Sequence, residues 1–191
     1  MMSNFIVSNI TAHPFENKHI KQIIDMVIRD LNNEKQYAKL WICDPFANNK
    51  TTRLQGTQLV TNDLNPKFDT TYTMEANDFG ELMLKQKRKF DLILFDPPYS
   101  LRQLKDCYEN IGGELPHWQS QNMWGRAKDA LSKCVNHGGY VITLGWSSHG
   151  FGMRRGFEKI AVYNFEQAGT DGRYNIQVVV EKRCQTILTD Y

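Results

Sequence analysis

Apolar residues recur every three or four positions between residues 18 and 33, which is the spacing of a helix with one buried face. These positions are Ile20, Ile23, Ile24, Val27, Ile28 and Leu31. Further helices are predicted over residues 78–87, 101–108 and 120–135. We expect the last of them to end at Gly138 and Gly139, since glycine accepts the left-handed conformation at a helix end.

Short apolar runs between these segments predict strands. They cover residues 39–43, 58–62, 90–95, 140–144, 157–165 and 174–181. Strands that alternate with helices are typical of a doubly wound α/β domain with a mostly parallel sheet. The last two strands have no helix between them, so they predict an antiparallel hairpin on the edge of the sheet. We expect one domain over residues 1–191, beginning with a helical segment over residues 1–36.

Composition limits the classes of protein that fit this pattern. Hydrophobic residues make up 41% and charged residues 23% of the chain, which is the balance of a soluble globular protein. No apolar run approaches the roughly 20 residues that cross a bilayer. The first residues lack the basic and apolar stretches of a secretory signal. Four scattered cysteines without a C-x-x-C pair argue against zinc. We therefore expect a cytoplasmic protein with free thiols, no metal and no membrane contact.

Acidic residues followed by turn residues end the first three predicted strands. Asp44-Pro45 ends the first, Asp63 the second, and Asp96-Pro97-Pro98-Tyr99 the third. In sheets of this kind ligands bind at the carboxyl ends of the strands. The repeated placement of carboxylates there predicts a functional site at that edge of the sheet.

The tetrapeptide at residues 96–99 suits the methylation of an exocyclic base amine. Such an amine is a poor nucleophile, and acceptors for both of its N–H bonds would turn its lone pair outward. Asp96 can supply a carboxylate oxygen, and the Pro97-Pro98 segment a backbone carbonyl. Proline fixes its own φ and restricts the residue before it, so the turn leaves the strand stiffly. Tyr99 offers a flat face for a base taken out of its helix.

Three motifs in order make the chain resemble a known family. They are Asp44 to Ala47 (DPFA), Asn62 to Pro66 (NDLNP) and Asp96 to Ser100 (DPPYS). This order resembles the small adenine-specific DNA methyltransferases of phages, which belong to the S-adenosylmethionine-dependent amino-methyltransferases. The resemblance covers the chain from about residue 38 onward. It implies a Rossmann-like methyltransferase fold of the seven-stranded type, methylation of adenine N6 in double-stranded DNA with the base flipped out, and a bacterial or phage-infected host cell.

The resemblance also implies where S-adenosylmethionine (SAM) binds. Its methionine part would lie against Asp44, Pro45, Phe46 and Ala47. A carboxylate after the second strand suits the ribose hydroxyls, which points to Asp63 with Leu64 beside it. The adenine part would meet Asp78 and Phe79, although Asp78 can equally be a helix cap.

The first motif departs from many methyltransferases because no glycine follows it. The residues after Ala47 are Asn48, Asn49 and Lys50. Asparagine tolerates positive φ, so we expect Asn48 and Asn49 to adopt the turn that glycine would otherwise make. The alternative is a weakened affinity for the cofactor.

Basic residues near the motifs are the candidates for phosphate contacts. They are Arg102 and Lys105, after the tetrapeptide, and Arg154 and Arg155, after a glycine-rich loop. Charged side chains that simply face solvent are an equally good interpretation. The chain offers no separate target-recognition domain, which predicts a short or relaxed target, a partner subunit or a homodimer.

Two other functions stay open at this point. Similar turns occur in RNA base methyltransferases, so RNA is an alternative substrate. A catalytically weak methyltransferase fold that acts as a binding or inhibitor protein is the second alternative. The glycine-free first motif favours that second alternative, and the intact tetrapeptide opposes it.

Overall fold

A computed structural model of the chain describes residues 2–8, 14–35, 39–48, 57–117, 123–166 and 175–184. Its centre is an eight-stranded sheet. The strands are β1 Met2–Val7, β2 Leu40–Asp44, β3 Thr57–Asp63, β4 Tyr72–Thr73, β5 Phe90–Phe95, β6 Val135–Gly145, β7 Phe157–Glu166 and β8 Ile176–Arg183.

The strands follow the spatial order β1-β7-β8-β6-β5-β2-β3-β4. Seven of them run in one direction, and β8 runs antiparallel between β6 and β7. The chain order reverses between β2 and β5, since β3 and β4 follow on one side and β6 on the other. Ligands of doubly wound sheets bind at such a switch point. The predicted mostly parallel α/β fold with an antiparallel hairpin is confirmed.

Four helices surround the sheet in the described part of the chain. They are α1 Lys18–Lys35, α2 Ala76–Lys85, α3 Leu101–Glu109 and α4 Gly125–Lys133. Helix α1 packs with Ile42 and Leu92 on one face of the sheet. Helices α2 and α4 pack with Cys43 and Ile93 on the other face. Alternate residues of each strand therefore feed two separate cores, as the pleat requires. No described helix has both the length and the apolar character to span a membrane.

Two predicted features of the ends of the chain are wrong. The N-terminal segment is not only helical, because β1 precedes α1 and pairs in parallel with β7. The hairpin of β7 and β8 therefore does not form the edge of the sheet, since β1 lies outside it. The pattern over residues 2–7 did not indicate a strand, because two polar residues interrupt a short apolar run. The pairing with β7, more than 150 residues away in sequence, supplies what the local pattern lacks.

The fourth predicted helix ends earlier than expected. Helix α4 stops at Lys133 and β6 begins at Val135, so the two glycines lie inside a strand. The register against β5 jumps between Val135 and Tyr140, which marks a bulge. Gly138 adopts a φ of +74° there. A Cβ on Gly139 would come within 3.0 Å of the Asp91 carbonyl, so the bulge requires glycine. Residues 120–122 of the predicted helix lie outside the described residues.

Candidate active site

A cavity of about 650 Å³ opens at the carboxyl ends of β5, β2 and β3. The turn after each of these strands contributes to its wall, and α3 covers it from the side. Its volume is in the range of small-molecule sites, about 300–1,000 Å³. Lining residues used below are Phe46, Asn48, Asp63, Leu64, Glu75, Asp96, Tyr99, Tyr108, Trp124 and Trp146.

The tetrapeptide forms one wall of this cavity. Asp96 directly follows β5, and Pro97, Pro98 and Tyr99 line the cavity with it. The Tyr99 hydroxyl donates a hydrogen bond to Asp96 Oδ1 at 2.5 Å. Burial raises the pKa of the Asp96 carboxyl to about 6, although this hydrogen bond opposes the rise. The group is therefore mostly an ionised acceptor at neutral pH.

Aromatic side chains contact the tetrapeptide on two sides. The Trp124 indole N–H donates to the Pro98 carbonyl at 3.3 Å. The Trp124 ring also packs edge-on against Phe46, with centroids 4.8 Å apart. On the other side, the centroids of Tyr99 and Trp146 are 6.0 Å apart and their rings are tilted by 58°. Since Trp146 is 44% exposed, the Tyr99–Trp146 pair presents an accessible aromatic surface beside Asp96.

Helix α3 begins at the tetrapeptide and fixes its last residue. Ser100 is the N-cap, and its side chain accepts from the Gln103 N–H at 3.2 Å. The Gln103 side chain in turn accepts from the Tyr99 N–H at 2.7 Å. This reciprocal arrangement is close to a capping box. It ties the orientation of Tyr99 to the start of the helix.

The turn after β3 forms the opposite wall. Asp63 Oδ2 accepts from the Asn48 N–H at 3.0 Å, and Asp63 Oδ1 accepts from the Asn65 N–H at 2.8 Å. Burial raises the pKa of Asp63, while these backbone hydrogen bonds lower it. Asn48 has a φ of +39°, which confirms the conformation predicted for it. Asn49 lies outside the described residues. Asp63 thus joins the turns after β2 and β3.

The first motif divides into lining and supporting residues. Pro45 and Phe46 line the cavity. Asp44 is fully buried, and its carboxylate accepts from the Phe46 N–H at 3.0 Å. Ala47 is buried as well, and its N–H donates to the Asn62 carbonyl at 2.9 Å. Asp44 and Ala47 therefore shape the turn that presents Phe46, and neither lines the cavity.

At the far corner the cavity meets the start of α2. Met74, Glu75 and Ala76 line it there. Asp78 points outward, with its carboxylate 3.8 Å from the Arg126 guanidinium. Phe79 is fully buried and packs against Tyr72 in the core. Leu64 lines the cavity as expected, whereas Asp78 and Phe79 do not. Glu75 holds the cap position, since its side chain accepts from the Asn77 N–H at 2.7 Å.

The predicted phosphate contacts lie in two different places. Arg102 and Lys105 are exposed on α3, on the side of the helix that does not line the cavity. Lys105 is 3.4 Å from Glu109. Arg154 and Arg155 precede β7 and so lie at its amino end. Asp96 lies at the carboxyl end of the parallel strand β5, on the opposite side of the molecule along the strand direction. Arg155 pairs with Asp129 at 2.7 Å.

Several residues of the site have no signal in the sequence. Tyr108, Glu75 and Trp124 reach the cavity only because their helices pack at the carboxyl ends of the strands.

Glu181 supports a loop next to the site and does not line the cavity. Its buried carboxylate accepts from the backbone N–H groups of Phe151 and Gly152, at 2.6 and 2.9 Å. It thereby fixes the far end of the loop that begins at Trp146. A buried acid in an apolar strand is the only pattern that could have indicated this role.

Comparison with solved structures shows the same fold in methyltransferases. A Streptococcus mutans protein proposed to be a SAM-dependent methyltransferase matches with a TM-score of 0.53 and 10% identity, over 84% of this chain and 48% of that one. NSun6 from Pyrococcus horikoshii with SFG matches with a TM-score of 0.51 and 12% identity, over 77% and 48%. A hypothetical protein of Thermus thermophilus matches with a TM-score of 0.51 and 11% identity, over 92% of both chains.

The chain therefore has the Rossmann-like fold of SAM-dependent methyltransferases. It spans about half the length of the Streptococcus mutans and Pyrococcus horikoshii proteins. A scan against protein-family models finds no match, and a search of curated proteins finds none.

Proposed function

We propose that the chain is a SAM-dependent methyltransferase that acts on an exocyclic base amine, foremost adenine N6 in double-stranded DNA. The observation that carries the proposal is the Asp96 carboxylate. It lies at the switch point of a methyltransferase fold, in the wall of a cavity. Two prolines follow it in the chain, and the aromatic surface of Tyr99 and Trp146 lies beside it. A flipped base that stacks on the surface formed by Tyr99 and Trp146 would bring its amine to Asp96.

Residues of the tetrapeptide would supply an acceptor for each of the two N–H bonds of that amine. Tyr99 donates to Asp96 Oδ1, so Oδ2 is the oxygen left for one N–H of the amine. The Pro98 carbonyl already accepts from Trp124, so we assign the other N–H to the Pro97 carbonyl. With both N–H bonds held, the lone pair turns toward the cofactor. The Asp96 carboxylate is also placed to take the proton that the amine loses.

The opposite half of the cavity fits SAM. Both carboxylate oxygens of Asp63 accept from backbone N–H groups, and their remaining lone pairs can accept from the ribose hydroxyls. Asn48 Oδ1 is buried at the same wall, and no described residue donates to it. Phe46 and Leu64 supply apolar surface. When bound, the cofactor supplies an electrophilic methyl group on its sulfonium.

Nucleic acid would meet the protein outside the cavity. The described cavity lining carries Asp63, Glu75, Asp96 and Asp106, and no lysine or arginine. Phosphates flanking a flipped base would therefore contact the outer face of α3, where Arg102 and Lys105 lie. Arg154 and Arg155 are a second basic position, at the other edge of the sheet, for DNA that extends that far or for a partner subunit.

Methyl transfer from labelled SAM onto double-stranded DNA, single-stranded DNA and RNA tests the proposal. We expect transfer to double-stranded DNA, and a loss of at least about a hundredfold in Asp96→Asn, about 2.7 kcal/mol of barrier. The asparagine keeps the shape and an acceptor for Tyr99 but lacks the charge. Binding of S-adenosylhomocysteine to this variant, measured by calorimetry, should stay within about threefold of the wild type.

Three outcomes would change the proposal. Activity of Asp96→Asn within tenfold of the wild type would remove Asp96 from the reaction. Transfer to RNA alone would replace DNA by RNA as the substrate. Binding of S-adenosylhomocysteine without any transfer would favour the binding or inhibitor protein.

A further inference from the structure

A buried tyrosine hydroxyl in the cavity wall lacks a hydrogen-bond partner. Tyr108 lies in the last full turn of α3, is 7% exposed and lines the cavity. Its hydroxyl oxygen is buried, and no described residue donates to it or accepts from it. An unsatisfied buried hydroxyl costs about 1–3 kcal/mol. Such a cost is explained if a ligand in the cavity completes the hydrogen bond.

Glu75, which lines the cavity with Tyr108 and is its charged neighbour, indicates which part of a ligand Tyr108 would meet. The cavity passes from Asp96 after β5, across β2, to Asp63 at the end of β3 and Glu75 beyond β4. Adjacent strands are about 4.8 Å apart, so Glu75 lies roughly 14 Å along the sheet from Asp96. If the reacting methyl is at Asp96 and the ribose at Asp63, the base of the cofactor falls at Glu75.

The charges around Tyr108 decide the chemistry of its partner. The carboxylates of Glu75 and Asp78 are its ionic neighbours, and together with burial they raise the pKa of the Tyr108 hydroxyl to about 12. The hydroxyl is thus a neutral donor in negative surroundings. An anionic ligand group, such as the carboxylate of methionine, would be repelled there. A neutral heterocycle with both donors and acceptors is compatible with this corner.

We propose that the Tyr108 hydroxyl recognises the adenine base of the cofactor by donating a hydrogen bond to a ring nitrogen beside the exocyclic amine, while Glu75 accepts from that amine. This inference rests on the proposed function. A carboxylate acceptor beside a hydroxyl donor matches the edge of adenine, which presents an N–H next to a ring nitrogen. Helix α3 would then serve both halves of the site, with Tyr99 before its first residue and Tyr108 in its last turn.

Calorimetry with S-adenosylhomocysteine and its 1-deaza and 7-deaza forms tests this role. Each deaza form replaces one ring nitrogen by C–H. We expect Tyr108→Phe to bind S-adenosylhomocysteine about tenfold more weakly than the wild type. One deaza form should bind the wild type about tenfold more weakly, and Tyr108→Phe should bind that form no worse than the wild type does. Such a cycle isolates the contact between the hydroxyl and the nitrogen.

Thermal unfolding of the free protein separates this role from a structural one. Because the hydroxyl lacks a described partner, Tyr108→Phe should unfold at the same temperature as the wild type or higher. Tyr163→Phe, which removes a hydroxyl on β7 that does not line the cavity, is the matched control and should bind all three ligands as the wild type does. An equal loss on all three ligands, or affinity within twofold of the wild type, would overturn the role of Tyr108. Absence of S-adenosylhomocysteine binding by the wild type would overturn the proposed function and this inference with it.

Discussion

Asp96 combines an ionised state that the proposed chemistry needs with surroundings that disfavour the charge. Its carboxyl is held in a cavity wall, and burial raises its pKa to about 6. A hydrogen bond from Tyr99 is the described interaction that lowers the pKa again. The charge is therefore kept at a cost in stability, as is common at functional sites.

The pH dependence of stability measures that cost. A raised pKa in the folded state means that the fold gains stability as the pH falls from about 6 toward 4, and loses it as the pH rises through 6. Asp96→Asn should therefore be more stable than the wild type at pH 7.5, by about 3 kcal/mol. The difference should fall to about 1 kcal/mol at pH 4.5. Urea unfolding at the two pH values measures both quantities.

Asp25→Asn, at an exposed position on α1, controls for the loss of a charge alone. The account of Asp96 is wrong if Asp96→Asn is less stable than the wild type at pH 7.5. It is also wrong if the gain is the same at both pH values. The activity of the wild type should fall below about pH 6, since a protonated Asp96 can no longer accept from the amine with its full charge.

At the scale of the elements, one buried carboxylate near the amino ends of the strands connects α1, β2, β5 and β6. Asp91 on β5 is 2% exposed. It pairs with Lys35 of α1 and accepts from the Trp41 N–H of β2 at 2.9 Å. It also accepts from the Asn136 side chain, in the bulge of β6, at 2.6 Å. The bulge thus has a physical reason, because it places Asn136 against Asp91.

Removing this carboxylate should destabilise the fold without touching the site. Asp91→Ala leaves Lys35 and the Trp41 N–H without their acceptor, so we expect a loss of about 3 kcal/mol in the free energy of unfolding. Asp91→Asn keeps an acceptor oxygen and should lose about half as much. Urea unfolding measures both variants. Methyl transfer at a temperature where both are folded should match the wild type. A large loss of activity there would contradict the conclusion that Asp91 stabilises the fold without taking part in the site.

The accuracy of the sequence predictions also varies by element. The strands before Asp44, Asp63 and Asp96 were predicted within about a residue, because apolar runs bounded by acid and turn residues are local signals. Helix α2 was predicted two residues late. That shift moved Asp78 to the cap, whereas in the structure Glu75 caps the helix and reaches the cavity. At this end of the helix the cap residue lines the cavity, and the residue three positions later does not, so the error selected the wrong side chain.

Strand β1 and the Tyr108 corner depend on contacts between distant segments. The order of the strands, and not the local pattern, brings Tyr108 of α3 to the cavity that Glu75, at the start of α2, also lines. The lining residues that belong to short motifs, residues 96–99 with Phe46, Asp63 and Leu64, were therefore predictable from the sequence. Glu75 and Tyr108, which reach the cavity by packing, were not.

At the scale of the whole molecule, the sheet places two halves of a site in one cavity. The strand order puts β5 beside β2, so the tetrapeptide faces the turns that carry Phe46 and Asp63. The cavity is acidic in its described lining, and the basic residues lie outside it on α3 and near β7. This arrangement favours a base that enters the cavity while its phosphates stay outside.

The central claim is the methylation of adenine N6, and nucleoside analysis of DNA tests it most directly. Unmethylated double-stranded DNA is incubated with the protein and SAM, digested to nucleosides and analysed by mass spectrometry. We predict N6-methyldeoxyadenosine that increases with time in the wild type and forms at least about a hundredfold more slowly with Asp96→Asn. N4-methyldeoxycytidine as the only product, or no methylated nucleoside while S-adenosylhomocysteine binds, would contradict the claim.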